Sequence, residues 1–211
     1  RQVEEVVAEI KPVIFDPAVM PKRVNQAEGE DLIVTSANNY YEGVTQKEVE
    51  RFYAERMNPH DTTPVSWGLN SKLVKEPDGR IVERVWKVGG MYSPAIEKIV
   101  YWLGKAAEVA REPQKQTILV LIDYYRSGDL RQFDAFNIRW VEDTVSKVDF
   151  VNGFTENYGD PLGYRGAWEG MVNFRDEEAT RRTQTISEEA QWFEEYSPID
   201  PQYRKERVKG V

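Results

Sequence analysis

The sequence contains no cysteine and a single histidine, His60, among its 211 residues. Without cysteine, a disulfide framework, a thiolate nucleophile and a Cys-ligated zinc site are excluded. A usual catalytic zinc site needs two or three histidines, so this chain alone cannot build one. The remaining histidine chemistry would be a general base at His60 oriented by Asp61, and the alternative is a solvated loop histidine.

A basic surface and a long apolar run are also missing. The chain carries 28 basic and 36 acidic side chains, a net charge of -8. This balance argues against a nucleic-acid partner or an anionic membrane surface. Apolar stretches such as residues 118–122 are far shorter than the 18 or so residues of a membrane span. We therefore expect no nucleic-acid and no membrane partner. We expect a cytoplasmic location, although a cysteine-free chain suits the periplasm equally well.

Several standard catalytic devices are absent from the sequence. There is no Gly-x-Ser-x-Gly elbow, no phosphate-binding glycine loop, no dinucleotide fingerprint and no EF-hand. No segment resembles the Glu-rich helix of a pyrophosphohydrolase. These absences leave the serine hydrolase, nucleotide-binding and calcium-binding classes without support.

The pattern that is present predicts an α+β fold. Strand pieces are predicted around residues 71–88, folded at Pro77-Asp78-Gly79, and around 148–174, where apolar and polar residues alternate. A further short strand is predicted at Leu32 to Thr35, within a long loop.

Helix signals separate these strand pieces. Thr45 to Glu48 form a capping box, which predicts a helix from Gln46 to about Met57. Three helices follow within residues 93–145 as a layer, and one long C-terminal helix begins after Asp176. A first helix is predicted to end at Pro12.

Residues 154–163 form the strongest candidate site, because they join two strands and end in a dense turn. Alternation along a strand places Glu156 and Tyr158 on one face and Asn157 on the other. A carboxylate at Glu156 could bind an ammonium group, and the Tyr158 phenol could donate to a developing oxyanion. The alternative is a polar strand end followed by an ordinary turn.

Two other polar groups have weaker functional interpretations. Asn38 to Gly43 could bind a ligand backbone or could satisfy the loop itself. The acidic pairs near the C-terminus could perform acid–base chemistry or form the wet face of a helix; they are Glu177/Glu178, Glu188/Glu189 and Glu194/Glu195.

The segment from Asn152 to Gly170 resembles the dipeptidyl peptidase III family of zinc metallopeptidases. The blocks 38–44, 68–75 and 88–92 resemble its bacterial members, especially the Bacteroidetes type. The resemblance implies an exopeptidase that releases dipeptides from the amino termini of short peptides. It also implies a two-lobed protein with a β-barrel in one lobe and a zinc in the other, held by a His-Glu-x-x-Gly-His pattern that this chain lacks.

The resemblance assigns roles to three residues. Tyr158 matches the tyrosine that stabilises the tetrahedral intermediate, Glu156 the glutamate that binds the substrate amino terminus, and Asn157 lies in the same substrate-contacting strand. Gly159 stands where eukaryotic members usually have arginine.

The resemblance also implies how this chain relates to the whole protein. Residues 1–211 would be a single partial domain from the lobe without zinc, cut at both ends, and 198–211 a linker toward the zinc lobe. Its partners would be a short peptide and the rest of its own polypeptide. Zinc would belong to the full-length protein, and this chain would hold no metal and be inactive alone. The alternative function is a stand-alone, non-catalytic peptide-binding or scaffold domain.

Overall fold

Helices and short strands follow each other along the chain, and a computed structural model describes residues 2–208. The helices are α1 (Val3–Phe15), α2 (Gln46–Ala54), α3 (Ser93–Val109), α4 (Gln114–Ser127), α5 (Leu130–Glu142), α6 (Glu177–Glu188) and α7 (Ala190–Tyr196). The strands are β1 (Tyr41–Glu42), β2 (Ser71–Lys75), β3 (Ile81–Val85), β4 (Val148–Glu156) and β5 (Ala167–Phe174). The predicted α+β class is confirmed.

The three-stranded sheet has the order β1-β2-β3. β1 runs parallel to β2, with Tyr41 opposite Leu73, and β2 pairs antiparallel with β3. The hairpin turns at Gly79, whose φ of +87° favours glycine. The strand pair predicted from the Pro-Asp-Gly signal is therefore confirmed.

Helix α2 covers this sheet through a small hydrophobic core. The Thr45 side chain accepts from the Glu48 N–H, and the Glu48 side chain accepts from the Thr45 N–H, which completes the predicted capping box. Val49 and Tyr53 of α2 are fully buried and share a core cluster with Leu73 of β2. Burial of these side chains removes apolar surface from water and fixes the helix on the sheet.

Helices α3, α4 and α5 form the predicted layer, in which α4 packs against both neighbours. Tyr124 of α4 stacks on Phe133 of α5 with ring centroids 4.6 Å apart. β4 contacts α5 at Gly153, where a Cβ would lie 2.7 Å from the Phe133 ring. Glycine at this position therefore allows the close approach of strand and ring.

Strands β4 and β5 form a separate two-stranded sheet. Within residues 2–208 neither sheet closes on itself, whereas the family resemblance implied a lobe built around a β-barrel.

Three predicted elements differ from the structure. The segment from Leu32 to Thr35 is a turn, because the Asp31 side chain accepts the N–H groups of Ile33 and Val34 and its carbonyl accepts that of Thr35. Helix α1 continues through Pro12 to Phe15, since the Pro12 carbonyl still accepts from the Asp16 N–H. The long C-terminal helix is divided at Glu189 into α6 and α7.

The described residues divide into two compact units. The first comprises residues up to 146 together with 151–170, and it contains the three-stranded sheet and helices α1 to α5. The second comprises residues 147–150 with those from 171 onward, and it contains α6 and α7. In the second unit the Asp176 side chain caps α6, and Trp192 stacks on Tyr196 at 4.9 Å between ring centroids.

Candidate functional site

Glu156 and Tyr158 meet where β4 ends. The strand stops at Glu156, and a single 3₁₀ turn covers Asn157–Gly159, so Asn157 and Tyr158 lie in the turn and not in the strand. Tyr158 is 79% exposed. A hydrogen bond to the Glu156 carboxylate raises the pKa of Tyr158 above its usual value. The phenol is therefore neutral at neutral pH and can act as a hydrogen-bond donor.

Asn157 braces the turn with its side chain. Its Nδ2 donates to the Gly163 carbonyl at 3.1 Å. Its backbone carbonyl accepts from the Asp160 N–H at 3.0 Å. Asn157 therefore stabilises the turn, whether or not it also contacts a ligand.

The turn is built around Asp160, a buried carboxylate that sequence reasoning missed. Its Oδ2 accepts from the Tyr41 hydroxyl at 2.7 Å, from the Tyr164 N–H at 2.9 Å and from the Arg165 N–H at 2.8 Å. Its Oδ1 accepts from the Leu162 N–H at 3.2 Å. A buried carboxylate is costly unless it is hydrogen-bonded, and these donors supply that compensation.

Arg165 closes the same turn and is fully buried. Its Nη1 donates to the Gly68 carbonyl at 3.0 Å. The guanidinium carbon lies 4.9 Å from the Tyr41 ring centroid and 5.0 Å from that of Tyr53, within the range of cation–π contacts. No sequence motif identifies this arginine, because its partners come from distant segments of the chain.

The Tyr41 side chain contacts two opposite buried charges, because its hydroxyl donates to Asp160 and its ring faces the Arg165 guanidinium. Burial raises its pKa far above the usual value, the Arg165 charge offsets part of the increase, and the Asp160 charge adds to it. Tyr41 is therefore a permanent donor to Asp160. The cluster Asn38 to Gly43 thus contributes a structural residue to the turn through Tyr41.

An apolar cavity of about 540 Å³ lies beside this segment. Its lining includes Tyr40, Trp86, Ile96, Phe154 and Trp168. Tyr40 also reaches the turn, because its hydroxyl would lie 3.6 Å from a Cβ at Gly159.

The other sequence candidates lie elsewhere. His60 is exposed in a loop, and Asp61 pairs with Arg131 at 2.9 Å instead of orienting the imidazole. The acidic pairs lie on α6, α7 and the residue between them. Among residues 2–208 no group of three or more His, Asp or Glu side chains is arranged to hold a metal ion. The described residues therefore offer no group that could hold the zinc that the family resemblance implies for the whole protein. No helix in the described range is long and apolar enough to span a bilayer.

Comparison with known proteins identifies the class to which this fold and turn belong. The sequence profile of peptidase family M49 matches residues 70–210, and the chain belongs to that family. The matched residues include Glu156, Tyr158 and Asp160.

Individual relatives are named dipeptidyl peptidase 3. The Rattus norvegicus protein is 27% identical over 119 residues, which cover 56% of this chain and 16% of that protein. The Dictyostelium discoideum protein is 31% identical over 98 residues, covering 46% of this chain and 14% of that protein. The chain thus spans less than a fifth of either relative.

The solved structure of DPP III from Caldithrix abyssi has a similar fold. It superposes with a TM-score of 0.61 at 18% sequence identity, over 96% of this chain and 40% of that one. At this identity the likeness supports the fold alone.

Proposed function

We propose that this chain supplies the substrate-binding and transition-state-stabilising part of a zinc-dependent exopeptidase that releases dipeptides from the amino termini of short peptides. The observation that carries the proposal is that Glu156 ends β4 and the exposed Tyr158 lies in the 3₁₀ turn that follows directly. Membership of peptidase family M49 supports a peptide as the substrate. The coverage of the curated relatives supports a role within a longer polypeptide.

Glu156 would bind the amino terminus of the peptide. A carboxylate and an ammonium group form a charge-assisted hydrogen bond, which is stronger than a neutral one. Because the dipeptide is counted from the amino terminus, this contact would set the position of the bond to be cleaved. Asn157, exposed beside Glu156, would contact the substrate backbone.

Tyr158 would donate its hydroxyl hydrogen to the oxyanion of the tetrahedral intermediate. Its raised pKa keeps the proton on the phenol at neutral pH. The neighbouring Glu156 carboxylate is the main cause of that raised pKa. An ammonium group that binds Glu156 would neutralise this carboxylate beside the hydroxyl.

The zinc of such an enzyme would be held by other residues of the parent polypeptide, since the described residues offer no fitting site. The chain alone is therefore expected to release no dipeptides. The partners of this part are a short peptide and the remainder of the same polypeptide.

The test is Tyr158→Phe in the full-length protein. Loss of one preorganised donor to an oxyanion lowers kcat by about 10²–10³-fold. KM should change much less, because the contact forms mainly in the transition state. Tyr101→Phe is the matched control, since Tyr101 is an exposed tyrosine on α3. Equal kcat values for the two variants would contradict the role of Tyr158.

A further inference from the structure

Apart from the Glu156 carboxylate, little holds the Tyr158 side chain in place. It is 79% exposed, and the turn that carries it spans only three residues. Gly159 is the last residue of this turn, and Gly163, four positions further on, adopts a φ of +71°. The orientation of Tyr158 must therefore come from the backbone of the turn and from whatever fixes that backbone.

Asp160 provides this fixation from two positions after Tyr158. Its backbone N–H donates to the Asn157 carbonyl, and its carbonyl accepts from the Gly163 N–H. Its side chain binds the N–H groups of Leu162, Tyr164 and Arg165. One residue thus holds both the start and the end of the turn.

The Tyr41 hydroxyl connects this turn to the three-stranded sheet. Tyr41 lies in β1, opposite Leu73 of β2, and its ring packs against the core cluster. Its hydroxyl reaches Asp160 across 119 positions of sequence. Leu162 and Tyr164 pack on the same core. The turn is therefore held by the three-stranded sheet and its core in addition to its own hydrogen bonds.

We propose that Asp160 and Tyr41 are positioning residues, which hold the turn so that Tyr158 presents its hydroxyl to the substrate. The inference rests on the proposed function, because it assigns a purpose to the orientation of Tyr158. Neither residue touches the reacting atoms; each acts through the backbone of 157–160. A misplacement of a catalytic group by about 1 Å can cost as much as 10²-fold in rate.

Tyr41→Phe in the full-length protein is the test, because it removes only the hydroxyl that donates to Asp160. Tyr125→Phe is the control, because it also removes a buried hydroxyl but not one that contacts the turn. The Tyr125 hydroxyl donates to Asn152 Oδ1 at 2.6 Å and accepts from Trp168 Nε1 at 2.9 Å. We expect Tyr41→Phe to lower kcat by about tenfold with KM changed less than about twofold. Tyr125→Phe should leave kcat within about twofold of the wild type, although both variants lose stability.

A double-mutant cycle separates positioning from general weakening. If Tyr41 acts through Tyr158, Tyr41→Phe should lower kcat in the wild type and have no further effect in Tyr158→Phe. An equal loss in both backgrounds, or no loss in the wild type, would overturn the positioning inference. Full kcat in Tyr158→Phe alone would instead refute the proposed role of Tyr158.

Hydrogen exchange gives a readout that needs no activity. The N–H groups of Leu162, Tyr164 and Arg165 should exchange at least about tenfold faster in Tyr41→Phe than in Tyr125→Phe. Without the Tyr41 hydroxyl, the Asp160 carboxylate that accepts these groups is less firmly held, so the turn opens more often. Unchanged exchange at these amides would overturn the inference, whatever the kinetics of Tyr158→Phe.

Discussion

Gly68→Ala tests the packing that supports the turn. Gly68 has a φ of +85°, and a Cβ there would lie 1.7 Å from Nη1 of Arg165 and 2.9 Å from the Tyr53 hydroxyl. The alanine would therefore force the buried guanidinium away from the Gly68 carbonyl, its acceptor at 3.0 Å. The alanine would therefore strain the backbone and also break the arginine contact.

The magnitude follows from two contributions to the free energy of unfolding. A left-handed backbone with a Cβ costs about 1–2 kcal/mol. Loss of a hydrogen bond to a charged group costs about 1.5–3 kcal/mol. We therefore expect Gly68→Ala to lower the free energy of unfolding by about 2.5–5 kcal/mol.

Urea unfolding of the chain measures this difference, and Gly79→Ala is the matched control. Gly79 has a nearly identical φ of +87°, but a Cβ there would meet no atom within 4 Å. The control should lose only the backbone contribution of about 1–2 kcal/mol. If the two variants lose the same stability, the account of how Arg165 is held is wrong.

Three further predictions concern acid stability, the helical layer and substrate binding. Hydrogen bonds from Lys75 and from the Thr45 backbone lower the pKa of Glu48 from its usual 4.5 to about 2. The stability that the ionised Glu48 adds to the folded state is therefore present above pH 4.5 and is lost as the pH falls toward 2. Urea midpoints at about pH 6 and about pH 3 should differ less in Glu48→Gln than in the wild type; an equal pH dependence would contradict this. Leu121→Ala, at a fully buried position of α4, should lower the free energy of unfolding by about 2–5 kcal/mol. The exposed Leu119→Ala on the same helix should lower it much less, and urea unfolding compares the two. In the full-length protein, Glu156→Gln should raise KM by about tenfold or more, because a charge-assisted hydrogen bond becomes a neutral one. Steady-state kinetics measure this, and an unchanged KM would count against Glu156 as the site for the amino terminus.

Local signals predicted most of the regular structure. The capping box at Thr45 and the Pro-Asp-Gly turn each depend on contacts within a few residues, and both formed as expected. The errors occurred where other contacts competed with the local pattern. Leu32 to Thr35 has strand-forming residues, but Asp31 accepts three of their N–H groups and bends the segment into a turn.

The candidate site was predicted only in part. The sequence placed Glu156 and Tyr158 on one strand face, whereas the structure brings them together across a strand end and a 3₁₀ turn. The roles of Asp160 and Arg165 could not be predicted from sequence patterns. Their partners Tyr41 and Gly68 lie 119 and 97 positions away, so the interactions exist only after folding.

The most direct test of the proposed function is the identity of the products released by the full-length protein. A short unblocked peptide and its N-acetylated counterpart would be incubated with the protein, and mass spectrometry would identify the fragments. If Glu156 binds a free amino terminus, successive dipeptides should appear from the unblocked peptide and none from the acetylated one. Release of single amino acids, or cleavage of both peptides at equal rates, would contradict the account.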